Sequence, residues 1–252
     1  MDAPKSPDLL ANVPLRELVL PFKRQPISLL VLQDAIAFQN SQHAKGDNNE
    51  VYWGELWPAA IALADAILDG EVWLPPGPQA VLELGCGAGL PAIAAAIKGT
   101  PETHVLASDL EPFALALTLR NAERNGVKDR VGELVFDWRD PYPRKHRLII
   151  ISDCLYDPDA DGQITAFLRR GLDDDPRAEA RAVIVDPDRW AARNFVYRAQ
   201  EAGFRVRTFR REVPFINELG PLTVLPQTGP PTDREFKGND PIEVNFYELQ
   251  FR

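Results

Sequence analysis

The stretch from Ala80 to Gly99, AVLELGCGAGLPAIAAAIKG, constrains the fold of this chain more than any other. Val81, Leu82 and Leu84 form a short apolar run of strand formers. The loop Gly85-Cys86-Gly87-Ala88-Gly89 follows at once, and an alanine-rich segment with Pro91 in its first turn closes at Gly99. The order is strand, glycine loop, helix. Alternate glycines remove side chains that would keep a ligand from the backbone, and a helix N-terminus offers unpaired N–H groups to an anion. The dinucleotide pattern places glycines at its first, third and sixth positions, whereas the sixth position counted from Gly85 is Leu90. A pyrophosphate cradle is therefore disfavoured.

Glu83, two residues before Gly85, adds a carboxylate at the strand end that repels phosphates and attracts an ammonium group. A ligand carrying both an amino and a carboxylate group fits better. S-adenosylmethionine (SAM) has both, together with a ribose and an adenine, so two more contacts are expected downstream. Val105 to Asp109 reads as a second strand ending in an acid about 20 residues after the loop, the spacing at which a carboxylate reaches ribose hydroxyls. Glu133 to Trp138 reads as a third strand ending in an acid and an aromatic, Asp137 and Trp138, placed to accept the adenine amine and pack on its ring. Cys86 and Leu110, beside these residues, are expected as further cofactor contacts. Either strand-end acid could instead cap the helix that follows it.

Arg147 to Ile151 is an apolar, β-branched run of the kind found in a central strand covered on both faces, and Ser152-Asp153-Cys154-Leu155-Tyr156-Asp157-Pro158 follows it. Ligands of open parallel sheets lie beyond the carboxyl ends of the strands, at the point where strand order reverses. Asp153 and Tyr156 are thus expected at the reactive end of the cofactor.

The 252 residues suffice for one α/β domain with a full core. A net charge of −9 opposes long-range steering toward nucleic acid, and the clusters Arg144 to Arg147 and Arg205 to Arg211 read as solvated faces beside strands. Two cysteines, Cys86 and Cys154, give neither a disulfide framework nor metal spacing, and no metal site is expected. The first residues lack a targeting pattern and no apolar run approaches a membrane span, so a cytoplasmic monomer without membrane attachment is expected.

Taken in order, residues 1–50 read as a leader and a β-hairpin extension, and residues 51–252 as the main domain. The hairpin strands are Glu17 to Leu20 and Ile27 to Leu32, expected as a hairpin attached to the edge of the main domain and a candidate substrate-side flap, and Asn40 to Asn49 is turn-rich. Tyr52-Trp53-Gly54-Glu55-Leu56-Trp57-Pro58 leads into a helix that Gly70 ends; its aromatics either wall a ligand pocket or dock the helix. Helices through Phe113 and Leu117, through Ile164 and Phe167, and from Ala192 to Ala202 alternate with strands, including Ala182 to Val185 and Phe204 to Val213. That alternation demands a parallel sheet. Pro214 to Pro241 is a long proline- and glycine-rich excursion suited to capping a site, and Ile242 to Phe251 is a final, antiparallel strand. The expected fold is a Rossmann-like, mostly parallel seven-stranded α/β sheet with an antiparallel last strand, helices on both faces and an N-terminal hairpin.

VLELGCGAG, the acid of SDLEP, the FDW turn and the seven-strand count together resemble the class I SAM-dependent methyltransferases, over roughly residues 50 to 213. Asp153-Cys154-Leu155-Tyr156 resembles the Asp-x-x-Tyr motif of the seven-β-strand protein lysine methyltransferases. With Asp157 and a later Asp-Pro-x-x-Arg turn, the chain is most similar to the branch acting on the β subunit of electron transfer flavoprotein. In that branch the turn is Gly-Asp-Pro-Gly-Arg, and here it is Val185-Asp186-Pro187-Asp188-Arg189. The resemblance implies that Glu83, Gly85, Gly87 and Gly89 hold the methionine part of SAM, Asp109 the ribose, and Asp137 with Trp138 the adenine. It also implies that Trp57 lines the cofactor and that Asp153 and Tyr156 border the acceptor, a lysine of a protein substrate. There Asp153 would orient the amine and the Tyr156 ring would stabilise the developing cation. A small-molecule methyltransferase and a non-catalytic SAM-binding partner are the alternative readings.

Overall fold

The computed structural model describes residues 8–46, 50–77, 80–157, 159–215 and 242–252. A hairpin, β1 (Leu15–Leu20) and β2 (Ile27–Leu32), comes first, followed by α1 (Ala35–His43) and α2 (Pro58–Asp69). The central unit continues as β3 (Val81–Leu84), α3 (Leu90–Lys98), β4 (Val105–Asp109), α4 (Pro112–Arg124) and β5 (Val131–Val135). It is completed by β6 (Leu148–Ser152), α5 (Ala160–Gly171), β7 (Arg181–Asp186), α6 (Phe195–Glu201), β8 (Phe204–Glu212) and β9 (Glu243–Phe251).

Seven strands form one sheet in the order β5-β4-β3-β6-β7-β9-β8. The first five are parallel, and β9 runs antiparallel between β7 and β8. Strand order therefore reverses at β3, the strand that carries the glycine loop, with β6 as its neighbour across the switch. Alternation along the strands sends Val81, Val105, Leu148 and Val183 to one side of the sheet and Leu82, Leu106, Ile149 and Ile184 to the other. On the first side they meet α2, α3 and α4; on the second they meet α5 and α6. Near-continuous burial of β6, LIIIS, follows from this double cover.

Three differences from the sequence reading have local causes. The segment opening the turn-rich stretch is helical: α1 is capped by Asp34, whose Oδ1 accepts the Ala37 N–H at 2.9 Å. None of its residues is buried, so no apolar stripe announces it. The third strand stops at Val135, because Asp137 accepts the Arg139 N–H at 2.8 Å and turns the chain. Asp137 and Trp138 thus lie past the strand. The hairpin forms its own sheet and docks on α4, with Leu20, Ile27 and Leu29 fully buried in the core shared with α2 and α3. At about 1.5–3 kcal/mol per buried aliphatic side chain, its attachment is substantial. Of the excursion expected over Pro214 to Pro241, residues 216–241 lie outside the described residues.

Candidate active site

Asp109, Asp153 and Asp186 stand at the carboxyl ends of β4, β6 and β7, around the loop that leaves β3. Gly85, Gly87 and Gly89 all take left-handed φ, at 69°, 50° and 79°. A Cβ on Gly85 would sit 2.6 Å from Cys154 Sγ, and one on Gly89 would sit 2.5 Å from Thr118 Cγ2. At Gly87 the nearest atom would be the Trp53 carbonyl oxygen, at 3.2 Å. The missing side chains therefore let the loop press onto α4, the segment after β6 and the segment before α2. Glycine here serves packing and backbone conformation as much as ligand approach.

Thr118 of α4 donates its hydroxyl to the Gly87 carbonyl at 3.0 Å, and the Gly87 N–H donates to Asp109 Oδ2 at 2.9 Å. Asp109 Oδ1 accepts the Glu111 N–H at 3.0 Å. Burial raises this carboxyl above the usual range, and these backbone donors oppose the rise. Each oxygen keeps a lone pair for a further donor. Glu83 is 1% exposed; its Oε2 accepts the Ala92 N–H in the first turn of α3 at 2.9 Å, and burial pushes it well up. Its Oε1 meets no hydrogen-bond partner among the described residues. With Ala92 satisfied and no N–H on Pro91, the helix end keeps fewer donors for an anion than the sequence suggests. An orphaned buried oxygen beside a loop of left-handed glycines, with an aspartate across it, is a set of acceptors that fits the N–H groups of an amino-acid ammonium and the hydroxyls of a ribose.

Cys86 is buried, its Sγ 3.4 Å from Thr118 Oγ1, so its side chain faces α4. Leu110 is 55% exposed and next to Asp109. The Trp138 indole donates to Gln163 Oε1 of α5 at 3.1 Å, and its ring edge lies 3.8 Å from the position of a Gly85 Cβ, which brings it to the loop. Asp137 instead binds Arg139, which holds its carboxyl below the usual range and occupies both oxygens.

Across the switch point, Asp153 takes a left-handed φ of 57° and lies 6% exposed. Its Oδ1 accepts from Arg189 Nε at 2.8 Å and Nη2 at 2.5 Å. Among the described residues Asp153 Oδ2 has no hydrogen-bond partner, while the nearby Ala59 N–H at the start of α2 favours the charged carboxylate. Burial raises this carboxyl, and the guanidinium opposes the rise. Arg189 also donates its backbone N–H to Asp186 Oδ1 at 2.7 Å, and its guanidinium carbon lies 5.8 Å from the Trp57 ring centre. Asp186 is fully buried and its carboxyl is pushed up to about 7 by burial and by the neighbouring Asp153 charge. Tyr156 lies edge-to-face on Tyr52, ring centres 5.5 Å apart, and is 37% exposed at the rim; burial of its phenol raises its pKa. Among the described residues no group of His, Cys, Asp and Glu could hold a metal ion, and no helix is long and apolar enough to cross a membrane.

The sequence profile of a family described as lysine methyltransferase matches residues 39–190. This chain belongs to the lysine methyltransferase family. Proteins named electron transfer flavoprotein beta subunit lysine methyltransferase are similar to it. The one from Xenopus laevis is 32% identical over 142 residues, 55% of this chain and 53% of that protein. The one from Homo sapiens is 31% identical over 143 residues, 56% of this chain and 51% of that protein. The chain spans about half the length of the curated relatives it matches. A solved ribosomal protein L11 methylase from Lactobacillus delbrueckii subsp. bulgaricus shares the fold, at TM-score 0.52 and 15% identity over 75% of this chain and 78% of that one.

In this family member three features of the site escape sequence reasoning. Asn121 of α4, fully buried, accepts the Leu30 N–H at 2.7 Å and donates to the Leu30 and Ala88 carbonyls at 3.0 and 2.9 Å, tying hairpin to glycine loop. Its signal is a polar pair, Thr118 and Asn121, on the otherwise apolar face of α4. The hairpin expected as a flap is thus joined to the loop's back. Tyr52 is held by its carbonyl, which accepts the Trp57 indole N–H at 3.0 Å, and nothing in its spacing marks it as a neighbour of Tyr156. Arg189 lies 36 residues from Asp153, and only the register of β6 with β7 brings them together.

Proposed function

We propose that this chain is a SAM-dependent protein lysine N-methyltransferase, with residues 51–252 as its catalytic domain and residues 1–50 as an extension bracing the cofactor loop. The observation that carries the reading is the loop of three left-handed glycines at the switch point, closed by Asp109 and lying beside the unpartnered Glu83 oxygen. In the proposal Glu83 and the loop hold the amino-acid end of SAM, Asp109 holds the ribose, and Trp138 packs near the adenine. Asp137, committed to Arg139, has the weakest claim of the adenine pair. When bound, SAM supplies an electrophilic methyl group on a sulfonium.

The chain's own part is orientation and exclusion of water. A lysine with a reference pKa near 10.4 must arrive as the neutral amine, in line with the transferred group. Tyr156 and Tyr52, stacked edge-to-face at the rim, offer π faces to its cationic form, and Trp57 closes the side toward Arg189. Asp153, already bound to Arg189, orients the acceptor through Oδ2. The relatives' names make a lysine of the electron transfer flavoprotein β subunit the first protein substrate to test. The net charge of −9 speaks against nucleic acid, and two buried free thiols suit the cytoplasm; we take the chain as a monomer. Calorimetry with SAM and with NAD tests the cofactor: SAM binding without NAD binding is expected, and the reverse overturns the reading.

A further inference from the structure

The buried cluster at the ends of β6 and β7 holds two carboxylates and one guanidinium, all at most 9% exposed. We propose that Arg189 is a positioning residue, which locks the end of β6, the end of β7 and the start of α2 into one arrangement so that Tyr156 and Trp57 face the same space. This rests on the methyltransferase reading for its consequence in catalysis, and on geometry for its structural part.

One residue makes three attachments. Its side chain puts two nitrogens on Asp153 Oδ1, at 2.8 and 2.5 Å. Its backbone N–H binds Asp186 Oδ1 at 2.7 Å, and its guanidinium lies over Trp57 at 5.8 Å. The chain on both sides of this knot is held in a disfavoured conformation, φ 57° at Asp153 and 67° at Asp188, which persists only where surroundings over-determine it. Asp153 is the first residue after β6 and precedes Tyr156 by three residues, so its lock fixes the direction in which the segment carrying the tyrosine leaves the sheet. A lysine at position 189 keeps the charge but has no planar fork for two nitrogens and no plane to stack on the indole.

Arginine could instead serve only to neutralise buried acids, and the two roles separate in a double variant. Arg189→Met alone leaves the buried Asp153 carboxylate without its counter-charge, while the backbone N–H at 189 still serves Asp186, and should lower the melting temperature sharply. Arg189→Met with Asp153→Asn removes the pair together and should recover most of that loss. The measurements are melting temperature, SAM affinity by calorimetry, and the ¹⁹F resonance of 5-fluorotryptophan at position 57, assigned by its absence in Trp57→Phe. Methyl transfer to purified electron transfer flavoprotein completes the set.

In the folded double variant and in Arg189→Lys, SAM affinity should stay within about twofold. The Trp57 resonance should shift or broaden in both, and in Arg189→Lys, which leaves Asp153 in place, kcat/KM for the acceptor should fall ~10- to 100-fold, the size of loss a small misplacement brings. A Trp57 resonance unchanged in both variants, or a kcat/KM unchanged in Arg189→Lys, would overturn the proposal. Should the double variant not fold, Arg189→Lys decides. Should wild-type protein transfer no methyl group to the flavoprotein, the substrate reading fails by itself, and the Trp57 resonance still decides whether Arg189 positions the site.

Discussion

Substituting alanine at Gly85 places a methyl group where Cys154 already stands. The added Cβ would lie 2.6 Å from Cys154 Sγ, far inside contact distance, and the residue would have to keep φ near 69°. Left-handed backbone costs a non-glycine residue roughly 1–2 kcal/mol, and overpacking a buried contact adds roughly 1–3 kcal/mol, so Gly85→Ala should destabilise by roughly 2–5 kcal/mol. The overlap is with one side chain, and removing that side chain isolates it. In Gly85→Ala/Cys154→Ala the clash is gone while the backbone strain remains, so the two changes should be non-additive, the double variant being more stable than the sum of singles by about 1–3 kcal/mol. Urea unfolding of the four proteins, compared at constant m-value, measures the coupling. Additive effects within about 0.5 kcal/mol would refute the claim that Gly85 is required by contact with the segment after β6.

Asp109→Ala leaves the Gly87 and Glu111 N–H groups without their acceptor and should weaken SAM binding by roughly 1.5–3 kcal/mol per charged hydrogen bond lost; unchanged affinity in calorimetry would move the ribose contact elsewhere. Asn121→Leu strands the Leu30 N–H and the Leu30 and Ala88 carbonyls, at about 1–3 kcal/mol for each group left unpaired, and should raise hydrogen exchange in β2 and the glycine loop together. Exchange confined to β2 would break the proposed link. Asp186 binds its proton more tightly folded, with a pKa about 7, than at its ordinary value of 3.8, so the folded state holds more protons between those values. Its contribution is full below the unfolded pKa and is lost as pH rises through about 7. Urea unfolding from pH 5 to 8 should thus show a loss of stability that Asp186→Asn removes; equal slopes in the two proteins would contradict the assignment.

Much of this was legible because period and punctuation agreed: the β-branched run LIIIS is typical of a doubly covered strand, and Gly70 and Gly99 end helices where apolar spacing stops. The glycine loop and its strand-end acids were readable since their spacing is local. What stayed hidden depends on register between distant segments. Arg189 reaches Asp153 because Ser152 pairs with Val185 across β6 and β7, a fact no window of sequence contains. Asp137 was misplaced at a strand end because its capture by Arg139, two residues on, reads the same as any acidic turn. Helix α1 carries no buried residue and so leaves no periodic trace.

The most direct test follows the methyl group itself. Purified protein is incubated with SAM carrying a radiolabelled methyl group and with electron transfer flavoprotein, in parallel with a cell lysate, and labelled protein is hydrolysed to amino acids. Label recovered as N-methylated lysine, dependent on the chain and lost with Asp109→Ala, is the expected result. Label on another amino acid, or on small molecules alone while SAM still binds, would contradict a protein lysine methyltransferase.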